Sequence, residues 1–171
     1  MGDRSVTRNC GPDLVRVGAG LPVAAYRDEI TTALHGGRAG IVAPPGTGKT
    51  TFVPPLVASR CSGRVIVTQP RRVAARAAAR RLATLTGTRP GEFASHTVHG
   101  ESTTTRDTKV EFVTTGVLLR RLLSDPDLTG VDAVVLDEVH ERHLDADLVV
   151  AMVCEVAQLR DDLTIVAMSA T

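Results

Sequence analysis

Two stretches of this chain carry residue types that could do chemistry together. The first is IVAPPGTGKT, residues Ile41 to Thr50. Gly46 and Gly48 let backbone N–H groups turn inward around phosphate oxygens with no Cβ in the way. A helix starting at Gly48 or Lys49 adds the positive end of its dipole. Lys49 brings a full charge to the outer phosphates, and the Thr50 hydroxyl can bind Mg²⁺. The pattern GxxxxGK[ST] is met, except that Ala43 stands where the first glycine is expected. A glycine-rich turn before a helix is the plain alternative. The apolar strand that feeds the loop favours phosphate. The second stretch is VVLDEVHERHLDAD, Val134 to Asp147. An apolar run ends on Asp137-Glu138, as when a buried strand delivers carboxylates to its carboxyl end. Asp137 suits a metal ion held through water. Glu138 suits a base that orients and deprotonates an attacking water. Glu141, Asp145 and Asp147 dilute the signal, because acidic runs are usually solvated faces. His140 and His143 lie three apart, but the HExxH order of a zinc site is absent.

Three weaker signals accompany these. In TQPRRVAARAAARRLA, Thr68 to Ala83, a strand ends at Pro70 and two arginines, Arg71 and Arg72, open a helix. Arg72, Arg76 and Arg80 then recur on one face with Arg81 beside them. Such a stripe is either a solvated helix surface or a contact to a nucleic-acid backbone that reads no bases. Thr114-Thr115-Gly116 closes one strand and opens a helix, a place for a phosphate or for an ordinary N-cap. Ser169-Ala170-Thr171 follows a last apolar strand.

The elements that must position these residues form a rhythm of short apolar runs and helical patterns. Strands are expected at 40–43, 64–69, 96–99, 109–115, 132–138 and 163–169. Several are apolar on both faces, which marks a parallel sheet covered by helices on both sides. Helices are expected after Pro22, from Gly48 or Lys49, over the arginine stripe to Gly87, after Thr115 and after Leu144. Pro54-Pro55 is expected to shorten or kink the second of these. Strands alternating with helices give βαβ units, an α/β fold with an open sheet. Ligands of such sheets bind at the carboxyl ends of the strands. Residues 1–20 read as a flexible lead-in and 21–171 as one domain.

Composition narrows the partners. A net charge of +1 announces no nucleic acid by itself. Aromatics make up 2% with no Trp, so the core is aliphatic, and base stacking on an aromatic platform is not the expected mode of strand binding. Cys10, Cys61 and Cys154 are scattered and odd in number, which fits a reducing cytoplasm better than a disulfide scaffold. The start MGDRSV meets a loose myristoylation pattern without a basic patch to support anchoring. No apolar run approaches the roughly 18 residues needed to span a membrane.

Taken in order, APPGTGKT, TQPRR, TTG, DEVH and SAT resemble motifs I, Ia, Ib, II and III of superfamily-two helicases. The sequence is similar to the DEAH-box RNA helicases and most to their bacterial HrpB branch, in LPVAAYRDEI, VHGEST and TTGVLLRRLLSDPDLTGVDAVVLDEVHERHLDADL, over residues 20 to 171. The resemblance implies the first RecA-like P-loop domain of a pair. Gly46, Thr47, Gly48, Lys49, Thr50 and Thr51 would bind ATP, with Thr50 and Asp137 at Mg²⁺ and Glu138 as the catalytic carboxylate. His140, Ser169 and Thr171 would couple the nucleotide to domain movement. Arg71, Arg72 and Thr114 would touch nucleic acid, RNA by analogy, and Arg81 would stack on the nucleotide base. That stacking tolerates other NTPs. Val139 replaces the alanine of the DEAH box, and Thr115 an acidic residue usual in motif Ib. The second RecA-like domain, with its arginine finger, lies outside these residues, so the chain reads as a fragment with weak turnover of its own. Another class of P-loop enzyme, or a strand-binding module without turnover, are the competing readings. Lys49 and Glu138 together favour turnover.

Overall fold

The computed structural model describes residues 11–141 and 143–171. The myristoylation pattern, Cys10 and the first half of the expected lead-in lie outside the described residues. One seven-stranded sheet runs in the order β1-β7-β6-β2-β5-β3-β4. Its strands are β1 (Arg38–Val42), β2 (Arg64–Gln69), β3 (Ala94–Val98), β4 (Glu101–Ser102), β5 (Val110–Thr114), β6 (Val131–Leu136) and β7 (Thr164–Ser169). All neighbours are parallel except the short β4, which pairs antiparallel with β3. The pattern of the strand HTVH does not extend to β4, whose two residues are polar and exposed.

The two-sided apolar strands have the reason expected of them. On one face Val65, Val67, Phe112, Val135 and Met168 pack under α1 (Leu14–Gly18), α2 (Arg27–Leu34), α3 (Lys49–Ala58) and α4 (Arg72–Thr86). On the other, Ile66, Val113, Val134 and Ile165 pack under α5 (Thr115–Ser124) and α6 (Leu144–Leu159). Successive strand residues point to opposite faces, so each strand feeds both cores.

Two expectations need correction. The lead-in does not extend to residue 20: Asp13 caps α1 through its carboxylate, accepting from the N–H groups of Val15 and Arg16 at 3.1 Å each. Leu14 and Val17 then join the core. The segment is too short and too rich in glycine to show a helical period. Nor does Pro54-Pro55 shorten α3, which runs on to Ala58. The two missing N–H groups would have served the carbonyls of Thr50 and Thr51, inside the first two turns. Complete burial of Phe52, Val53, Leu56 and Val57 holds the rest in place.

Glu111 on β5 is 1% exposed. Arg121 of α5 grips it with two hydrogen bonds, 2.9 and 2.8 Å, and Arg64 and Thr97 add bonds of 3.2 and 2.7 Å. Burial alone pushes this carboxyl up. Hydrogen bonds from Arg121 and Thr97, with the charges of Arg121 and Arg64, outweigh burial and hold it below its ordinary 4.5. A carboxylate lowered on folding stabilises the protein above its unfolded value, and that stability is lost as pH falls through the folded value. Replacing Glu111 with Ala leaves two half-buried arginines unpaired and is expected to cost about 3–5 kcal/mol in urea unfolding. Unfolding free energy measured from about pH 5 downward should fall more steeply in wild type than in Glu111→Gln.

Cys61 and Cys154 are unpaired. Burial, with the charge of Asp132 beside it, pushes the Cys61 thiol up to about 11. Mass spectrometry after thiol labelling at neutral pH should therefore find Cys154, which is exposed, modified before Cys61.

Candidate active site

Five parallel strands end side by side, and each ends on residues singled out by their chemistry. In spatial order β1 leads into the glycine-rich loop, β7 into Ala170-Thr171, β6 into Asp137-Glu138, β2 into Pro70-Arg71, and β5 into α5 at Thr115. The register aligns these ends: Val42 faces Ser169, and Gln69 faces Thr114.

The loop after β1 takes its shape from two glycines in the left-handed region, Gly46 at φ 79° and Gly48 at φ 91°. Gly48 is needed twice over, since a Cβ there would lie 3.0 Å from the Leu21 side chain. Ala43 is not among the residues of positive φ. It serves through its backbone, donating its N–H to the Ser169 carbonyl at 3.2 Å. That is why the missing first glycine does not disturb the loop. Lys49, 5% exposed, folds its ammonium back onto the carbonyls of Ala43 and, at 3.1 Å, Pro44. Thr47 Oγ1 donates to the Pro44 carbonyl at 2.9 Å. Behind the loop, the Val23 N–H donates to the Thr47 carbonyl at 3.0 Å. The cradle is thus held from the segment LPVAAY as well as from within.

The strand β6 stops at Leu136, one residue before the acidic pair. Thr50 Oγ1 donates to Asp137 Oδ2 at 2.6 Å, which joins the loop to the acidic pair. Gln69 Nε2 donates to the same oxygen, also at 2.6 Å. The Asp137 N–H donates to Thr68 Oγ1 at 3.1 Å. Glu138 then turns through φ 56°, a left-handed conformation uncommon for a residue with a side chain. Its N–H donates to Asp137 Oδ1 at 3.0 Å. The next N–H, of Val139, donates to the Met168 carbonyl at 3.1 Å, which ties this turn to β7. A hydroxyl beside a buried carboxylate is a hard-oxygen set of the kind Mg²⁺ accepts. Among the described residues no three of His, Cys, Asp and Glu converge on one point. A cation at this pair would need further ligands such as phosphates and water, as Mg²⁺ takes in nucleotide sites.

His140 spans β6 and β7. Its Nε2 lies 3.1 Å from Glu138 Oε2. Its Nδ1 lies 3.4 Å from both the Ala170 N–H and Ser169 Oγ. Ser169 Oγ donates to the Thr171 carbonyl at 2.6 Å, so the Ala170 N–H is the donor to Nδ1. The Nε2–H tautomer satisfies the whole set. His140, Ser169 and Thr171 are thereby brought together next to Glu138, while His143 is exposed at the start of α6.

The sequence matches the DEAD/DEAH box helicase family over residues 26–171. The chain belongs to this family. It is 43% identical to the ATP-dependent RNA helicase HrpB of Escherichia coli over 155 residues, covering 88% of the chain and 19% of that protein. It is 36% identical to the ATP-dependent RNA helicase HrpA of Borreliella burgdorferi, again over 88% of the chain and 19% of the relative. A crystal structure of Escherichia coli DEAH/RHA helicase HrpB superposes with a TM-score of 0.84 at 43% identity, covering 89% of the chain and 20% of its own. The chain thus spans about a fifth of the length of these DEAH-box relatives.

The other residues implied by DEAH-box resemblance fall into two places. Arg71, Arg72 and Thr114 share one rim, at the ends of the paired strands β2 and β5. Arg71 and Arg72 are exposed, and Arg71 reaches Glu141 only at 3.8 Å. A cleft of about 260 Å³ opens on this rim, lined by Thr114, Gly116, Asp137 and Glu138 among others. Arg81 stands apart. It is exposed on the third turn of α4, and its side chain makes no hydrogen bond or ion pair among the described residues. The arginine stripe is not uniformly solvated, because Arg76 pairs with Glu101, which also accepts from His96 at 2.8 Å. Sequence reasoning missed Gln69, Thr68 and Leu21. Only the position of Gln69 and Thr68 at a strand end gave any hint, and Leu21 gave none.

Proposed function

We propose that this domain is the nucleotide-binding half of an ATP-dependent helicase motor acting on nucleic acid, RNA by analogy with the relatives named for it. The observation that carries the reading is the 2.6 Å contact between Thr50 and Asp137. It sets a phosphate cradle and a carboxylate pair on one line of strand ends, as Mg-nucleotide hydrolysis requires. Gly46, Thr47, Gly48 and Thr51 present backbone and hydroxyl groups to the phosphates. Lys49 exchanges its loop carbonyls for the outer phosphate oxygens. Thr50 and Asp137 would hold Mg²⁺, the latter through water, and the ion when bound would neutralise phosphate charge. Glu138 orients the attacking water and takes its proton. His140, Ser169 and Thr171 sit where a change at Glu138 reaches the end of β7 and the chain beyond. Arg71, Arg72 and Thr114 hold a strand by its phosphates, without reading bases. Arg81 stacks on the nucleotide base, so NTPs other than ATP are accepted.

In the full-length protein a second RecA-like domain closes over this face with its arginine finger. Among the described residues no helix is long and apolar enough to cross a membrane; the scattered, odd-numbered cysteines support a cytoplasmic location. The test is the ATPase of the full-length protein with RNA, with DNA and with neither. Stimulation by RNA is the expected result. Turnover that ignores both nucleic acids overturns the motor and leaves a P-loop enzyme of another class.

A further inference from the structure

We propose that Gln69 is a positioning residue that fixes the Asp137 carboxylate for the metal ion, a role resting on the function proposed above. Gln69 is the last residue of β2 and is 5% exposed; Asp137 is 7% exposed. An ionised carboxylate offers about four acceptor sites and no donor, so the carboxamide nitrogen faces it. Oδ2 is filled by two donors at 2.6 Å, Thr50 Oγ1 and Gln69 Nε2. Oδ1 takes the Glu138 N–H at 3.0 Å, which leaves one acceptor site of this carboxylate open. That site is the one a metal-bound water can use.

Thr50 cannot hold this arrangement alone. Its hydroxyl oxygen must also offer a lone pair to a cation, and α3, which carries it, must accommodate phosphates. Gln69 comes from the sheet instead, where its neighbour Thr68 also receives the Asp137 N–H. Two consecutive residues of β2 thus hold Asp137, one by its backbone and one by its carboxylate. Removing the donor frees the carboxylate to rotate. The phosphate cradle itself, built by residues 43–50, is untouched.

The experiment compares wild type with Gln69→Leu and with the length-matched Gln69→Met in the 171-residue chain. Binding of a fluorescent ATP analogue is titrated with Mg²⁺ and repeated in a chelator, with thermal unfolding followed alongside. The Mg²⁺ concentration for half-maximal tightening is expected to rise about 10–100-fold in both variants, the usual cost of losing a partner behind a metal ligand. Affinity in chelator is expected to stay at the wild-type value. An unmoved Mg²⁺ midpoint, an equal loss with and without Mg²⁺, or unfolding of both variants overturns the proposal. Wild type that binds the analogue without regard to Mg²⁺ overturns the metal role alone, whereas wild type that fails to bind it with or without Mg²⁺ overturns the nucleotide-site reading as well, which separates the two failures.

Discussion

The 171-residue chain by itself is expected to hydrolyse ATP about 10³–10⁵-fold more slowly than the full-length protein, the contribution of an arginine finger to phosphoryl transfer. The reason lies in where the charges are. Lys49 is the one cation seated in the phosphate cradle among the described residues. Arg71 and Arg72 lie on the rim beyond β2, two strands away from β7 and three from the loop of β1. On the proposed reading, charge that develops on the transferred phosphoryl would meet one lysine and a bound metal ion, and no other cation of the described residues. Single-turnover phosphate release, measured at saturating nucleotide for the chain and for the full-length protein, checks this. Comparable rates would mean that the domain completes its own site, and the two-domain motor would lose its main chemical support.

Substituting Glu138 by Gln in the full-length protein is expected to lower ATP turnover about 10²–10⁴-fold, the range a positioned general base supplies, while nucleotide binding persists. The substitution changes one oxygen to an amide nitrogen. It leaves the left-handed turn at φ 56° and the N–H bond to Asp137 as they are. A carboxamide oxygen can still accept from His140 Nε2, now 3.1 Å from Glu138 Oε2. What disappears is the capacity to take a proton. Lys49 and Thr50 are untouched, so equilibrium binding of labelled ATP should match wild type. A variant that turns over ATP at more than about a tenth of the wild-type rate would place the base elsewhere.

Much of the site was legible because its signals are local. Gly46, Gly48, Lys49 and Thr50 lie within five positions, and a loop that turns through positive φ needs glycine at fixed offsets. The apolar run before Asp137-Glu138 reads as a two-sided strand for the same reason, and α4 ends at Gly87, φ 69°, as its terminal glycine implies. Where the reading failed, packing outweighed local preference. Pro54 and Pro55 argue for shortening or kinking α3, yet its buried face carries the helix on to Ala58. Leu14 and Val17 lie in a segment too short to show a period, yet they reach the core.

The order of motifs along the chain determined, before any coordinates, that this is an α/β nucleotide domain of the DEAD/DEAH box family. Local chemistry pointed to an α/β phosphate site, with glycines where the backbone must turn and carboxylates where an apolar strand ends; the family came from the resemblance of the ordered motifs. Tertiary structure alone decided which groups meet. Gln69 and Asp137 are 68 residues apart, and Thr50 and Asp137 are 87. The buried grip of Arg121 on Glu111 and the seat of Leu21 against Gly48 are of the same kind. Such contacts depend on strand order and register. β6 lies beside β2, and β7 stands between β6 and β1. No short window of sequence carries that order, because it is set by how two hydrophobic faces are buried at once.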